Sequence, residues 1–140
     1  MADVAPVAAQ DLSSNELVTL YSSVGWSAYT GDPATLTAAV HGSSFVVAAR
    51  DGGALVGLAR AVSDDASICY LQDVLVDPDY QRRGIGHRLV DTVLDRYAHV
   101  RQKVLVTDDE PGQRAFYESL GYREVREHGN GSLRAFVRYD

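Results

Sequence analysis

Cysteine is almost missing from this chain: Cys69 is the only one in 140 residues. No intrachain disulfide can form, and a reducing setting, the cytoplasm, is expected. Long apolar runs are missing as well. "FVVAA" (45–49) is cut by Arg50 and Asp51, far short of the ~20 residues of a membrane helix, so no membrane partner is expected. The opening "MADVAPVAAQ" carries Asp3 and no basic stretch, which argues against a secretory signal and leaves residues 1–10 free to be flexible. Basic charge is scarce: 13 Lys and Arg stand against 19 Asp and Glu, a net charge of −6. A general nucleic-acid binder needs a broad cationic face, so nucleic acid is not an expected partner. The same balance favours the approach of a small cation. Paired His or Cys spacings are absent, and no metal is expected. His41 near a helix end and His128 before a turn read as surface residues, and Cys69 as a buried core thiol.

What is present is an ordinary globular composition, 46% apolar and 23% charged, long enough for one domain over 1–140 with a real core. "SSNELVTLYSSVGW" (13–26) reads as a helix capped at Ser13 or Ser14, with Leu17, Leu20, Tyr21 and Val24 at helical spacing. "DPATLTAAVHG" (32–42) places Asp and Pro at a helix start and Gly42 at its end. "SFVVAAR" and "ALVGLARAV" around "DGG" (51–53) read as a hairpin, and "SICYLQDVLV" (67–76) as a long strand stopped by Asp77 and Pro78. A helix over 84–98, a short strand over 103–107 and a helix over 111–121 ending on Gly121 follow. "YREVREH" and "SLRAFVRY" around "GNG" (129–131) read as a closing hairpin, while a first strand within 3–9 is only weakly signalled. The order fits α/β architecture: one mixed sheet with helices on both faces. Asp64 and Asp65 in "SDDAS" read as turn formers.

"QRRGIGHRLV" (81–90) is the stretch that carries chemistry. A strand that runs through a glycine-rich turn into a helix leaves N–H groups converging where the helix dipole favours negative charge. Gly84 and Gly86 remove the Cβ atoms that would keep a pyrophosphate off the backbone. Tight strand–helix packing with no ligand is the plainer alternative. Arg82, Arg83, His87 and Arg88 form a local basic cluster in an acidic chain. Arg82 and Arg83 can add charge to an anion site or simply be solvated loop residues. A Walker lysine is absent, since His87 follows Gly86, and Leu89 stands where a dinucleotide fingerprint needs its third glycine.

"VLVDPDYQRRGIGHRLVDTVL", with Gln81, Arg82, Arg83, Gly84, Ile85 and Gly86 matching its core, resembles the acetyl-CoA-binding signature of the GNAT N-acetyltransferase superfamily. "RAFYESLGYREV" is similar to the family's later helix, and the resemblance covers roughly 43–127 with the expected spacing between motifs. Glu110 stands where the family often has Asn, seven residues before the tyrosine. The resemblance implies one central mixed sheet of about six to seven strands flanked by about four helices. It further implies acetyl-CoA as cosubstrate, with Gln81 in the cofactor site and the pyrophosphate on the N–H groups of Arg82, Arg83, Gly84, Ile85, Gly86 and His87. The pantetheine arm would run as a pseudo-strand along Val74, Leu75 and Val76, where the family's sheet splays at a bulge. An acceptor amine would attack the thioester directly in a ternary complex, and Tyr117 would protonate the leaving thiolate, a task that suits a phenol. Tyr117 as one more packed aromatic is the alternative.

Asp73 is an acid inside an apolar strand and needs a partner or a cavity. It can bind the acceptor's ammonium, act through water as base, or make a structural hydrogen bond. Trp26 and Tyr29, in "GWSAYTGD" (25–32), can offer an aromatic face to a cationic amine, or Trp26 can anchor the core. The expected reaction is acetyl transfer to a primary amine of a small cationic molecule. A protein lysine or N-terminal amine is the competing acceptor, and a non-catalytic acyl-CoA-binding module is the competing class. A homodimer is compatible with the sequence.

Overall fold

The computed structural model describes residues 2–140, and the chain divides into two compact units, residues 1–106 and 107–140. In the first unit, β1 (Asp3–Val7), β2 (Phe45–Asp51), β3 (Ala54–Ser63), β4 (Ile68–Val76) and β5 (Gln102–Leu105) form one sheet in the order β1-β2-β3-β4-β5. The first four strands pair antiparallel and β4 pairs parallel with β5. The helices of this unit are α1 (Ser14–Ser23), α2 (Ser27–Thr30), α3 (Pro33–His41) and α4 (Ile85–Arg96). The expected mixed α/β architecture is present. The weakly signalled segment within 3–9 forms the edge strand β1.

Local sequence explains most boundaries. Ser13 caps α1 through a full capping box with Glu16, each side chain bonded to the other's backbone N–H. Asp32 caps α3 at the Thr35 N–H, with Pro33 in the first turn. Leu17, Leu20 and Tyr21 of α1 and Leu36 and Val40 of α3 bury against Val46, Leu58 and Leu75 of the sheet. The other sheet face takes α4, whose Ile85, Leu89, Val90 and Val93 are buried. Gly57 permits that close approach, because a Cβ there would lie 3.3 Å from Leu89 and 3.2 Å from Ala49. The link β4–α4–β5 is thus the crossover that a parallel strand pair requires.

The sheet is smaller than expected: five strands among the described residues rather than about six to seven, with five α-helices rather than about four. The closing hairpin is not formed. The second unit holds α5 (Pro111–Ser119), capped at Gly121 with φ +90, and one 3-10 turn at Val125–Glu127. "YREVREH" places its apolar residues, Tyr122 and Val125, three apart, a helical spacing with no strand face. Glu124 accepts from the Arg126 N–H and closes the turn, and Arg114 pairs with Glu127 across it. Without that first strand, residues 132–140 have no ladder to join and adopt no regular element.

Candidate active site

β4 is irregular where the chemistry is expected. Arg60 opposes Asp73, yet the next β3 residue, Ala61, opposes Leu71, so Gln72 is an extra residue on β4. This is a β-bulge, and it bends and twists the strand that carries it. The bulge coincides with the end of the β4–β5 ladder, whose last pair is Leu71↔Leu105. Beyond it β4 continues to Val76 with no strand on that side among the described residues. The expected pantetheine positions Val74, Leu75 and Val76 therefore lie on an open strand edge.

That edge leads into the turn before α4. Asp77 ends the strand: its N–H donates to the Val56 carbonyl at 2.8 Å and its carboxylate accepts from the Asp79 N–H at 2.9 Å. A 3-10 turn, Pro78–Tyr80, follows, and the Tyr80 hydroxyl donates to Asp51 at 2.7 Å, anchoring the turn to the β2–β3 hairpin. Gln81 donates from Nε2 to the Val76 carbonyl at 3.0 Å, and Arg83 donates to the Asp79 carbonyl while covering the Tyr80 ring at 5.0 Å. These two side chains brace the turn itself. Arg82 has φ +63 and Gly84, the N-cap of α4, has φ +79. No side chain caps α4, and its first backbone bond is from Arg88 N–H to Gly84 O at 3.1 Å. Helix geometry leaves first-turn donors such as Ile85 and Gly86 N–H without an intrahelical partner, at the positive end of the dipole. A pyrophosphate fits such a cradle. His87 instead faces Asp91 one turn on, with Nδ1 at 3.0 Å from its carboxylate, and Arg88 donates to the Ala2 carbonyl at 3.2 Å.

Asp73 lies on the opposite side of the sheet from α4, 4% exposed. Three donors meet its carboxylate: Arg60 Nε at 2.6 Å and Tyr21 Oη at 2.9 Å on Oδ2, and Tyr29 Oη at 2.9 Å on Oδ1. Arg60 also reaches the Ala39 carbonyl, Ser43 Oγ and Tyr29 Oη at 3.3–3.4 Å. Gln72, the bulge residue, donates to Tyr29 Oη at 3.3 Å. Burial works against the Arg60 charge, but the Asp73 charge and hydrogen bond, together with Tyr29 and Tyr21, hold the guanidinium pKa above its ordinary value. Burial first, and then the Asp73 charge, push the Tyr21 phenol far above the usual tyrosine range. Trp26 and Tyr29 are half-buried and pack with Tyr21 as an aromatic trio, with centroids 5.1–6.2 Å apart.

The sequence marks Tyr21 only as part of the apolar stripe of α1 and gives Arg60 no role. The available signal was an arginine inside the apolar run "ALVGLARAV", which needs a buried acid as partner. Tyr117 lies on α5 in the second unit, half-buried, its ring edge-on to Phe116 at 4.9 Å and to Tyr122 at 5.9 Å. Cys69 is a buried free thiol whose pKa burial raises. Asp64 closes its turn by accepting from the N–H groups of Ala66, Ser67 and Ile68. Asp65 pairs with Arg96 and His99. Among the described residues, no three His, Cys, Asp or Glu side chains cluster as metal ligands, and no helix is long and apolar enough to cross a membrane.

Known proteins are similar to this chain in sequence and in fold. The chain is 29% identical over 121 residues to the uncharacterized N-acetyltransferase ycf52 of Pyropia yezoensis, covering 79% of this chain and 68% of that one. It is 31% identical over 128 residues to the histone acetyltransferase TAP1 of Glycine max, covering 80% of this chain and about half (52%) of the soybean protein. The GNAT-family acetyltransferase SP0256 of Streptococcus pneumoniae superposes with a TM-score of 0.83 at 28% identity, over 100% of this chain and 98% of that one. An aminoglycoside acetyltransferase from an uncultured soil sample, solved with sisomicin, shares the fold at a TM-score of 0.71 and 18% identity, over 99% of this chain and 95% of that one. The acetyltransferase (GNAT) domain model matches residues 21–139, nearly the whole chain, and the protein belongs to that family of acyltransferases.

Proposed function

We propose that residues 1–140 act as a single N-acetyltransferase domain, which moves an acetyl group from acetyl-CoA to a primary amine of a small cationic molecule within a ternary complex. The observation that carries this is the end of the β4–β5 ladder at Leu71: among the described residues, an unpaired β4 edge leads directly to the uncapped, glycine-bounded start of α4. Acetyl-CoA, when bound, supplies an acetyl group activated as a thioester. Ile85 and Gly86, with neighbouring N–H groups of 82–87, hold the pyrophosphate. Gln81 and Arg83 keep the turn in shape rather than reading the ligand, since both already bond to backbone carbonyls. Val74, Leu75 and Val76 orient the pantetheine arm, and an N–H of the same edge meets the developing oxyanion. Tyr117 holds a proton at Oη for the departing thiolate. Its support is the motif "RAFYESLGYREV" and the pKa range of a phenol.

The acceptor reading rests on charge and on aromatic surface. The net charge of −6 favours an incoming cation, and half-buried Trp26 and Tyr29 offer ring faces to one. Asp73 plays a structural part in this reading, since its carboxylate is occupied by a guanidinium and two phenols. A protein amine is the second reading, favoured by the 31% identity to the soybean histone acetyltransferase. CoA-thiol release from acetyl-CoA, measured across polyamines, aminoglycosides, amino acids and lysine peptides, separates the two. Turnover of free cationic amines above peptides is the expected result. Peptides turned over far better would favour the second reading, and tight CoA binding with no amine acetylated would leave only the non-catalytic module.

A further inference from the structure

The bulge at Gln72 does more than bend β4: it reverses which face the strand's side chains take. Leu71 opposes Ala61 while Asp73 opposes Arg60, and Ala61 and Arg60, adjacent on β3, point to opposite faces. Leu71 and Asp73 therefore face opposite ways although they are two residues apart. Cys69 and Leu71 go to the α4 side, and Asp73 and Leu75 to the side of α1 and α3. Without the extra residue, period-two alternation would carry Asp73 into the apolar layer under α4, built from Leu89, Val90 and Val93. A lone carboxylate there is costly to bury, and Arg60, on the other face, would be stranded with it.

We infer that the buried Arg60–Asp73 pair is a register clamp: it selects the bulged pairing of β3 and β4, and thereby the open β4 edge used for acetyl transfer. Arg60 is thus a positioning residue for the reaction, acting through β4 and touching no substrate. Three observations converge on this. The pair joins directly opposed residues immediately beside the bulge, at 2.6 Å and under 10% side-chain exposure. The β4–β5 ladder ends at Leu71, one residue before the bulge. The bulge residue itself is drawn into the same cluster, since Gln72 Nε2 donates to Tyr29 Oη, which donates to Asp73. A buried ion pair is poor value as a source of stability and better suited to fixing one register among several. That makes the pair's placement here informative. The role in acetyl transfer rests on the proposed function; the role in register does not.

The test uses the full chain with Arg60→Met and Asp73→Leu, singly and together. Each single variant leaves one buried charge unpaired and should lower the melting temperature. The double variant replaces the pair by apolar groups and should recover the melting temperature. A purely structural pair would then recover everything else. The clamp instead predicts that the folded double variant keeps altered amide hydrogen exchange at 72–76 and binds CoA at least about tenfold more weakly. Wild-type exchange and wild-type CoA affinity in the double variant would overturn it. If the double variant does not fold, Asp73→Asn decides, because it removes the charge at nearly constant shape. The clamp predicts faster exchange at 72–76 in a folded Asp73→Asn chain, and an unchanged pattern would overturn it. A wild-type chain that fails to bind CoA would overturn the proposed function, and the exchange data alone would still decide the clamp.

Discussion

The turn that follows β4 and the cluster midway along it are made of different materials. From Gln81 to His87 the groups proposed to bind CoA are backbone N–H donors, and the side chains mostly brace the loop: Gln81 on the Val76 carbonyl, Arg83 on Asp79 and Tyr80. Around Asp73 the working groups are side chains brought from α1, α2, β3 and β4, with partners 13, 44 and 52 residues away in sequence. A backbone site depends on φ, so glycine positions set it and side-chain exchange barely touches it. A side-chain network depends on tertiary placement, so each member is vulnerable and the loss of one strands the others.

The comparison breaks most visibly at the turn's glycines. Gly84→Val forces a β-branched residue to φ +79, and Gly86→Val adds a branched side chain in the first turn of α4. Either should remove CoA binding from a calorimetric titration while circular dichroism shows the fold intact. Tight binding retained in both would mean that the turn is only tight packing. Tyr117→Phe should leave CoA affinity near the wild-type value and lower kcat by roughly 10²–10⁴-fold if the phenol is the acid. An unchanged kcat, measured where chemistry limits the rate, would make Tyr117 a packing residue beside Phe116.

The cluster is sharpened by Tyr21→Phe, which removes one donor from a buried carboxylate and should cost about 1–3 kcal/mol in urea unfolding. The same variant reads out pH. Burial, then the Asp73 charge, raise the folded-state pKa of Tyr21 above its ordinary value of 10.0. The neutral phenol is therefore favoured by folding. Its stabilisation is complete below about pH 10 and is lost as pH rises toward the folded-state value. Wild-type stability should fall above pH 10 more steeply than that of Tyr21→Phe, and equal slopes would remove Tyr21 from the network. Arg83→Ala is the mildest change. Its guanidinium serves the turn's shape, so CoA affinity should drop by no more than about fivefold, and less at high salt.

The same contrast explains what was legible in the sequence. Ser13 with Glu16, Asp32 with Pro33, and Gly84 with Gly86 are local signals, and the elements they announce lie where expected. The open β4 edge was expected only through the family resemblance, since nothing in "CYLQDVLV" marks Gln72 as an extra residue. Asp73 was visible as an acid needing a partner. That partner, Arg60, became evident only once β3 and β4 were in register. The expected closing hairpin fails because "YREVREH" lacks a period-two apolar face, although the "GNG" beside it is a sound turn signal.

The most direct test of the acyltransferase account is the product of one reaction: the full chain, acetyl-CoA and a small polyamine, analysed by mass spectrometry together with thiol release. The account predicts one acetylated amine for each CoA thiol released, with release dependent on the amine. Thiol release that ignores the amine, or tight CoA binding with no acetylated product from any amine or peptide, would contradict it.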